Sequence, residues 1–250
     1  MFHAGLRWLD GNRDTGGASG IGAATAALLQ QRGARVAVLD RAIPVDDPRF
    51  LSVQCDITDP DAVNRAIATV VDTFGGIDIV INNAGIGAAG DVAGNDDEEW
   101  HRVFDVNVVG IARICRATLP HLRVSEHAVI VNVCSDAATV GLKNRAVYSA
   151  SKGAVAALTR AMAADYVHEN IRVNAVAPGT AATPWVERLL QASTDAVQAE
   201  AQLKARQPMG RLVTADEVAF SIAYLANPHA ACTTGTVLAV DGGMDGIQVA

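Results

Sequence analysis

The sequence predicts an α/β fold, a doubly wound parallel sheet with helices on both faces, in one domain over residues 1–250. Three observations carry this. Short apolar runs of strand length alternate with segments of helical periodicity along nearly the whole chain. Hydrophobic residues make up 50% of the chain but aromatic ones only 4%, so the core is mostly Ala, Val, Ile and Leu. Such a core suits strands buried on both faces. A glycine-rich loop, a helix, a strand and an acidic residue follow one another within residues 15–40, the order in which a doubly wound unit begins.

The loop reads T-G-G-A-S-G-I-G over residues 15–22, with Gly16, Gly20 and Gly22 opening a helical pattern over 21–32 that Gly33 ends. Residues 35–39 are an apolar strand running into Asp40. Glycines let the backbone approach a pyrophosphate closely, and a helix N-terminus offers N–H donors to it. Asp40 then meets the adenosine ribose hydroxyls and repels a 2′-phosphate, which favours NAD over NADP. Ser19 leaves the loop without a basic residue, in agreement, whereas Arg41 is an argument for NADP. Residues 51–54 form a further strand, followed by Cys55, Asp56 and Ile57. Asp56 either meets the adenine amino group or caps the helix predicted over 61–74. The strand at 77–81 runs into Asn82-Asn83-Ala84-Gly85, whose small residues admit a ribose.

Asn95 and Glu98 have the spacing of a capping box, predicting one long helix through Leu119 that stops near Pro120. Asn107 lies inside it on an apolar stretch, so it needs partners. It either makes a structural hydrogen bond or holds a water linked to Lys152. A strand at 128–131 precedes Ser135, and a helix is expected over 146–164. On that helix Tyr148 and Lys152 are four residues apart and share a face. Spacing alone is also consistent with an exposed Tyr–Lys contact. A free Tyr, with a pKa of about 10, is a poor base near neutrality, and a neighbouring ammonium lowers that value. A Tyr so tuned exchanges protons with an alcohol or a carbonyl. The strand at 171–176 ends at Pro178-Gly179, and Thr183 opens a less regular stretch, 183–212, read as a substrate loop or lid. A helix over 214–225, capped by Thr214, and a strand over 235–240 complete the chain.

Several classes are excluded. A net charge of -7 and the lack of a Lys/Arg cluster argue against a nucleic-acid partner. The four cysteines form no C-x-x-C pair, which fits buried reduced thiols in a cytoplasmic protein, and the six histidines form no ligand pair, so no metal is expected. Residues 1–14 lack the apolar core of a signal peptide, and no apolar run is long enough to span a membrane.

Taken jointly, T-G-x-x-x-G-I-G, N-N-A-G, the helix Asn, a Ser thirteen residues before the Tyr of Y-x-x-x-K, P-G-x-x-x-T and V-D-G-G are similar to the short-chain dehydrogenase/reductase family over residues 15–244. The resemblance implies a Rossmann-type fold, a small-molecule substrate and a homotetramer or homodimer packed through the helices at 98–119 and 146–169. It implies a tetrad of Asn107, Ser135, Tyr148 and Lys152. Tyr148 is then the acid/base and Ser135 orients the substrate oxygen. Lys152 binds the nicotinamide ribose and lowers the Tyr pKa, and Asn107 holds a relay water. The cofactor site comprises Gly16, Ser19, Gly20, Ile21, Gly22, Asp40, Asp56, Ile57, Asn83, Ala84, Gly85, Pro178, Gly179 and Thr183, with Tyr148 and Lys152. A narrower likeness, in K-N-R-A-V-Y, P-G-T-x-x-T-P and L-K-A-R-Q-P-M-G-R, is to the branch with cytosolic type-2 hydroxybutyrate dehydrogenase and 2-keto-3-deoxy-L-fuconate dehydrogenase. It implies that Arg145, Arg188 and Arg206 bind a substrate carboxylate, which guanidinium groups can grip in bidentate fashion. The alternative is three solvated arginines on a lid.

The sequence departs from the family ahead of Thr15, where polar residues Asp10, Asn12, Arg13 and Asp14 replace the usual apolar first strand. Either residues 6–9 supply an irregular replacement strand, or NAD binding is weakened. Three activities follow from the reading. The first is an NAD-dependent dehydrogenase acting on a secondary alcohol, a hydroxy acid or a sugar acid. The second is a cofactor-impaired scaffold. The third is an NADP-dependent carbonyl reductase.

Overall fold

In the computed structural model, described over residues 7–11, 19–42, 47–191, 193 and 195–248, the central sheet is wholly parallel. The side chains of 7–11, 185, 188 and 189 are outside that description, as is the expected cofactor residue Gly16. Strands β1 (Arg7–Gly11), β2 (Arg35–Asp40), β3 (Leu51–Gln54), β4 (Ile79–Asn82), β5 (Val129–Val133), β6 (Arg172–Pro178) and β9 (Val237–Val240) build it in the order β3-β2-β1-β4-β5-β6-β9. A short pair, β7 (Ala181–Ala182) and β8 (Val213–Thr214), lies apart from it. β4 and β5 are buried at every residue, so apart from Asn82 and Asn132 they are apolar instead of alternating.

The first strand is where the sequence was most ambiguous. The structure places it at Arg7–Gly11, paired in parallel with β2 through Arg7–Arg35 to Gly11–Leu39 and with β4 through Trp8–Ile79 to Asp10–Ile81. The central strand therefore exists, and it ends four residues before Thr15. A replacement strand is observed, shifted from the expected 6–9 to take in Asp10 and Gly11.

Helices cover both faces. On one face α1 (Gly20–Gln31) packs against α8 (Ala215–Ala226), burying Ala26, Leu29, Val218 and Ile222 against Val36, Val38, Ile79 and Val131. On the other lie α2 (Pro60–Phe74), α4 (Gly110–Leu122) and α5 (Ala146–Tyr166). α2 shows why such segments fold as they do. Val63, Ala66, Ile67 and Val70 recur at helical spacing and are its buried residues, and Gly75 closes it in the left-handed conformation. Asp59, not Asp56, caps α2 by accepting from the Asp61 N–H. Asp56 instead accepts from the backbone and hydroxyl of Thr58. α8 carries a complete capping box between Thr214 and Glu217.

Two helical expectations are corrected. The long helix is capped one residue later than Asn95, because the Asp96 carboxylate accepts from the Glu99 N–H while Asn95 is turned inward onto Ala89 and Glu99. It is also not one helix. α3 (Asp97–Phe104) passes through a π-helical turn, Asp105–Val109, into α4, which runs past Pro120 to Leu122. Pro120 lacks only one N–H there and does not end the helix. The stretch at 183–212, read as irregular, contains α6 (Pro184–Gln191) and α7 (Ala196–Ala205). Cys55, Cys115 and Cys134 are buried as expected, whereas Cys232 is exposed. Among the described residues no helix is long and apolar enough to cross a membrane.

Candidate active site

The strand order reverses between β1 and β4, and doubly wound sheets hold ligands outside the carboxyl ends of their strands at such a point. A pocket opens there. It is lined by Ser19, Gly20 and Ile21 at the start of α1, by Asn83 and Gly85 after β4, and by Cys134, Ser135 and Asp136 after β5. Arg145, Tyr148 and Lys152 enter it from α5, Pro178, Gly179 and Thr183 from the end of β6 onward, and Arg206 from the end of α7.

Each functional side chain is positioned by identifiable bonds. Lys152, nearly fully buried, donates from Nζ to the Val133 carbonyl at 2.8 Å. Its ammonium lies 5.8 Å from the centre of the Tyr148 ring. Burial pushes the Lys152 pKa down, opposed by the neighbouring Cys134. Ser135 caps a single 3-10 turn, Asp136–Ala138, accepting from the Ala137 N–H at 3.2 Å and donating to Asp136 Oδ1 at 2.8 Å.

The Tyr148 phenol behaves differently from the expectation. Burial pushes its pKa up to about 12, with Asp136 and Cys134 adding to the rise and the Ser135 hydroxyl and Arg145 opposing it. The Lys152 ammonium, on the same helix, donates to the Val133 carbonyl on the strand. A free phenol here is neutral at physiological pH.

Asn107 is fully buried in the π-turn. It accepts from the Ile86 N–H at 2.8 Å and donates to the Ile86 carbonyl at 3.0 Å and to Ser151 Oγ at 3.0 Å. Ser151 in turn donates to the Tyr148 carbonyl at 2.7 Å. The structural bonding open from sequence is observed. Gly85 lies between Asn107 and Lys152. A Cβ there would come within 3.3 Å of Lys152 Nζ and 3.5 Å of Asn107 Oδ1. A Cβ at Gly20, whose φ is +54°, would meet Thr183 at 3.3 Å. The glycines thus leave open a groove that any other residue would narrow.

The remaining expected cofactor residues lie along the same sheet edge. Asp40, buried at the end of β2, accepts from the Ala42 N–H at 3.0 Å. Asp56 follows β3 and is half-buried. Ile57, Ala84 and Gly22 have no side-chain role in the pocket: Ile57 and Ala84 belong to the apolar core and Gly22 is buried within α1. Arg145 lines the pocket while donating to the Ala88 carbonyl at 3.3 Å, and Arg206 stands exposed at its rim. Arg188 lies on α6, but its side chain is outside the described residues.

Sequence reasoning missed two features. Asp136 lines the pocket beside Ser135, and its only signal was a charge adjoining the Ser in a region otherwise small and apolar. A buried polar chain also ties β4 to β5 and α5. Asn82 donates to Asn132 at 2.8 Å, and Asn132 to Thr159 at 2.9 Å. Its signal was an Asn inside each of two otherwise apolar strands. Among the described residues no His/Cys/Asp/Glu cluster could hold a metal ion.

Comparison with known proteins agrees with this geometry. A family model described as Enoyl-(Acyl carrier protein) reductase matches residues 16–245. The chain is 42% identical over 239 residues to cis-4-hydroxycyclohexanecarboxylate dehydrogenase of Sinomonas cyclohexanicum, covering 92% of this chain and 94% of the relative. It is 38% identical over 242 residues to 2-(R)-hydroxypropyl-CoM dehydrogenase of Xanthobacter autotrophicus, covering 91% and 95% respectively. Among solved structures, the ligand-free aldohexose dehydrogenase of Thermoplasma acidophilum matches with a TM-score of 0.91 at 31% identity, covering 100% of both chains.

Proposed function

This chain belongs to the short-chain dehydrogenase/reductase family, and from that premise we propose that it is an NAD-dependent dehydrogenase interconverting a secondary alcohol and its carbonyl compound, with a hydroxy acid or sugar acid as substrate. The observation that carries this reading is the convergence of Ser135, Tyr148 and Lys152 with the start of α1 in one pocket.

The residues suit a dinucleotide. The groove kept open by Gly20 and Gly85, the α1 N-terminus and the buried Lys152 ammonium together supply room, N–H donors and a cation. Ser19, Gly20, Ile21, Asn83, Gly85, Pro178, Gly179 and Thr183 would hold it, with Asp40 at the adenosine end. When bound, the nicotinamide supplies the hydride acceptor or donor. The chain does the rest. Tyr148 exchanges the proton of the substrate oxygen, Ser135 orients that oxygen, and Lys152 fixes the ribose side of the groove while remaining bonded to Val133.

Asp40 supports NAD over NADP, since a carboxylate at the end of β2 opposes a 2′-phosphate. Arg41 is exposed, and its carbonyl accepts from Gln54, so the backbone there is tied to β3. For the substrate, Arg145 and Arg206 bring two guanidinium groups to the pocket, and a relative acts on a hydroxylated carboxylate. We expect Arg145→Ala and Arg206→Ala each to raise KM for hydroxy acids about tenfold to a hundredfold, a charged hydrogen bond contributing roughly 1.5–3 kcal/mol. KM for neutral alcohols should hardly move. Steady-state kinetics on paired acidic and neutral substrates checks this, and an equal response to both would remove the carboxylate from the reading. The activity itself is tested by mixing the protein with NAD and a panel of secondary alcohols and following the reduced nicotinamide by absorbance.

A further inference from the structure

Arg145 reaches the pocket from a backbone that is held on both sides. Gly90 donates its N–H to the Asn144 carbonyl and accepts from the Ala146 N–H, each at 3.1 Å, an isolated parallel bridge around Arg145. The chain enters this bridge through Asn144, whose φ of +56° lies in the left-handed region that Asn tolerates better than most side chains. Among the described residues the Arg145 guanidinium donates only from Nη1, to the carbonyls of Ala88 at 3.3 Å and Asn144 at 3.4 Å. Its Nε–Nη2 edge is left to fork onto a carboxylate.

Residues 88–90 are held in turn by Asn95. This side chain is buried and donates from Nδ2 to the Ala89 carbonyl at 2.9 Å and to Glu99 Oε2 at 2.6 Å. Its Oδ1 has no partner among the described residues, so Asn95 is held by its donors alone. The Asn95 N–H donates to the Asp91 carbonyl at 3.2 Å, and the next residue, Asp96, caps α3. The amide therefore projects from the fixed start of a helix. Gly90, with a φ of +136°, is pressed against it, and a Cβ there would lie 2.5 Å from Asn95 Nδ2. The other end of the same loop is held separately, with Ile86 bonded to Asn107.

We propose that Asn95, acting through Ala89 and Gly90, positions the Arg145 guanidinium for the substrate carboxylate and so sets the preference for acidic over neutral substrates. Asn95 does not line the pocket and is a positioning residue. It fixes Ala89, Gly90 pairs across Arg145, and the Ala88 carbonyl takes Nη1. An arginine ordered before the substrate arrives loses less side-chain freedom on binding than a mobile one. Because Asn107 holds the Ile86 end, loosening the Asn95 end should spare the dinucleotide groove. The proposal rests on the reading of Arg145 as a carboxylate ligand.

Asn95→Ala should raise KM for hydroxy acids about threefold to tenfold, in the lower part of the range for residues coupled through a shared backbone. Its kcat, its KM for neutral alcohols and its NAD affinity should stay within about twofold of wild type, as for sites without shared partners. Gly90→Ala should copy this split, since the added methyl displaces Asn95 from the other side. The decisive measurement is the double variant Asn95→Ala/Arg145→Ala. Its KM for hydroxy acids should equal that of Arg145→Ala alone, because no guanidinium is left to position. A KM that rises equally for acidic and neutral substrates, or effects that multiply in the double variant, would overturn the proposal. Arg145→Ala separates the two levels of the argument. If that single variant keeps the wild-type KM for hydroxy acids, the carboxylate reading itself fails. If it raises that KM while Asn95→Ala and Gly90→Ala leave it unmoved, the positioning role alone is wrong.

Discussion

Tyr148→Phe should lower kcat about 10²–10⁴-fold, the usual contribution of a positioned acid/base group, and leave nucleotide binding within a few-fold of wild type. The substitution removes one oxygen from a ring half-buried in the pocket wall, so packing and fold are retained. Only the proton exchange is lost. The check is single-turnover kinetics with saturating cofactor, alongside a binding isotherm on the same variant. A Phe variant that turns over within tenfold of wild type would mean that the proton moves by a route that bypasses α5, and the assignment of the site would fall.

Asn107→Ala should be the most damaging single substitution to the architecture of the site. It strips the partner from the Ile86 N–H and from the Ile86 carbonyl, and removes the donor to Ser151. An unsatisfied buried polar group costs about 1–3 kcal/mol, so the loss amounts to a few kcal/mol. For a chain of this size each kcal/mol corresponds to about 2–4 °C of Tm, predicting a fall of roughly 5–15 °C by calorimetry. Activity should fall too, because Gly85 of the pocket lies beside this side chain and Ser151 links it to the Tyr148 carbonyl. An unchanged Tm would show that water replaces these bonds freely and that Asn107 does not hold the loop after β4.

What could be read from the sequence follows from which signals are local. The α2 helix and strands β2 to β6 were legible because their periodicity and apolar runs are local and strong, and their buried faces match the pattern that predicted them. β1 was obscured because its pairing partners, Val36–Leu39 and Ile79–Ile81, lie far along the chain. Parallel pairing on both edges holds a strand that contains Asp10 and Gly11, against its own local preference. The π-turn around Asn107 was invisible for the opposite reason. It inserts no breaker; the Asn107 side chain within it bonds to Ile86 and Ser151, two segments remote in sequence.

The site divides the same way. Tyr148 and Lys152 were found because four residues on one helix is a local statement. Their electrostatics was not, since the Tyr148 pKa depends on burial and on Asp136, and Lys152 is claimed by Val133. The spacing of Y-x-x-x-K places the two groups on one face without saying what else the ammonium touches. The arginines show a third case. Arg145 and Arg206 reach the pocket, Arg206 on its exposed rim, and no local pattern in the sequence says which arginines do so.

The account turns on a nicotinamide dinucleotide seated between the α1 N-terminus, Gly85 and Lys152, with its adenosine ribose at Asp40. Isothermal calorimetry of the purified protein with NAD and with NADP measures that directly. Saturable NAD binding at least about tenfold tighter than NADP, with the difference abolished in Asp40→Ser, is the expected result. Equal binding of the two would remove Asp40 from the selectivity argument. Binding of neither would contradict the dehydrogenase reading as a whole, however well Ser135, Tyr148 and Lys152 are placed.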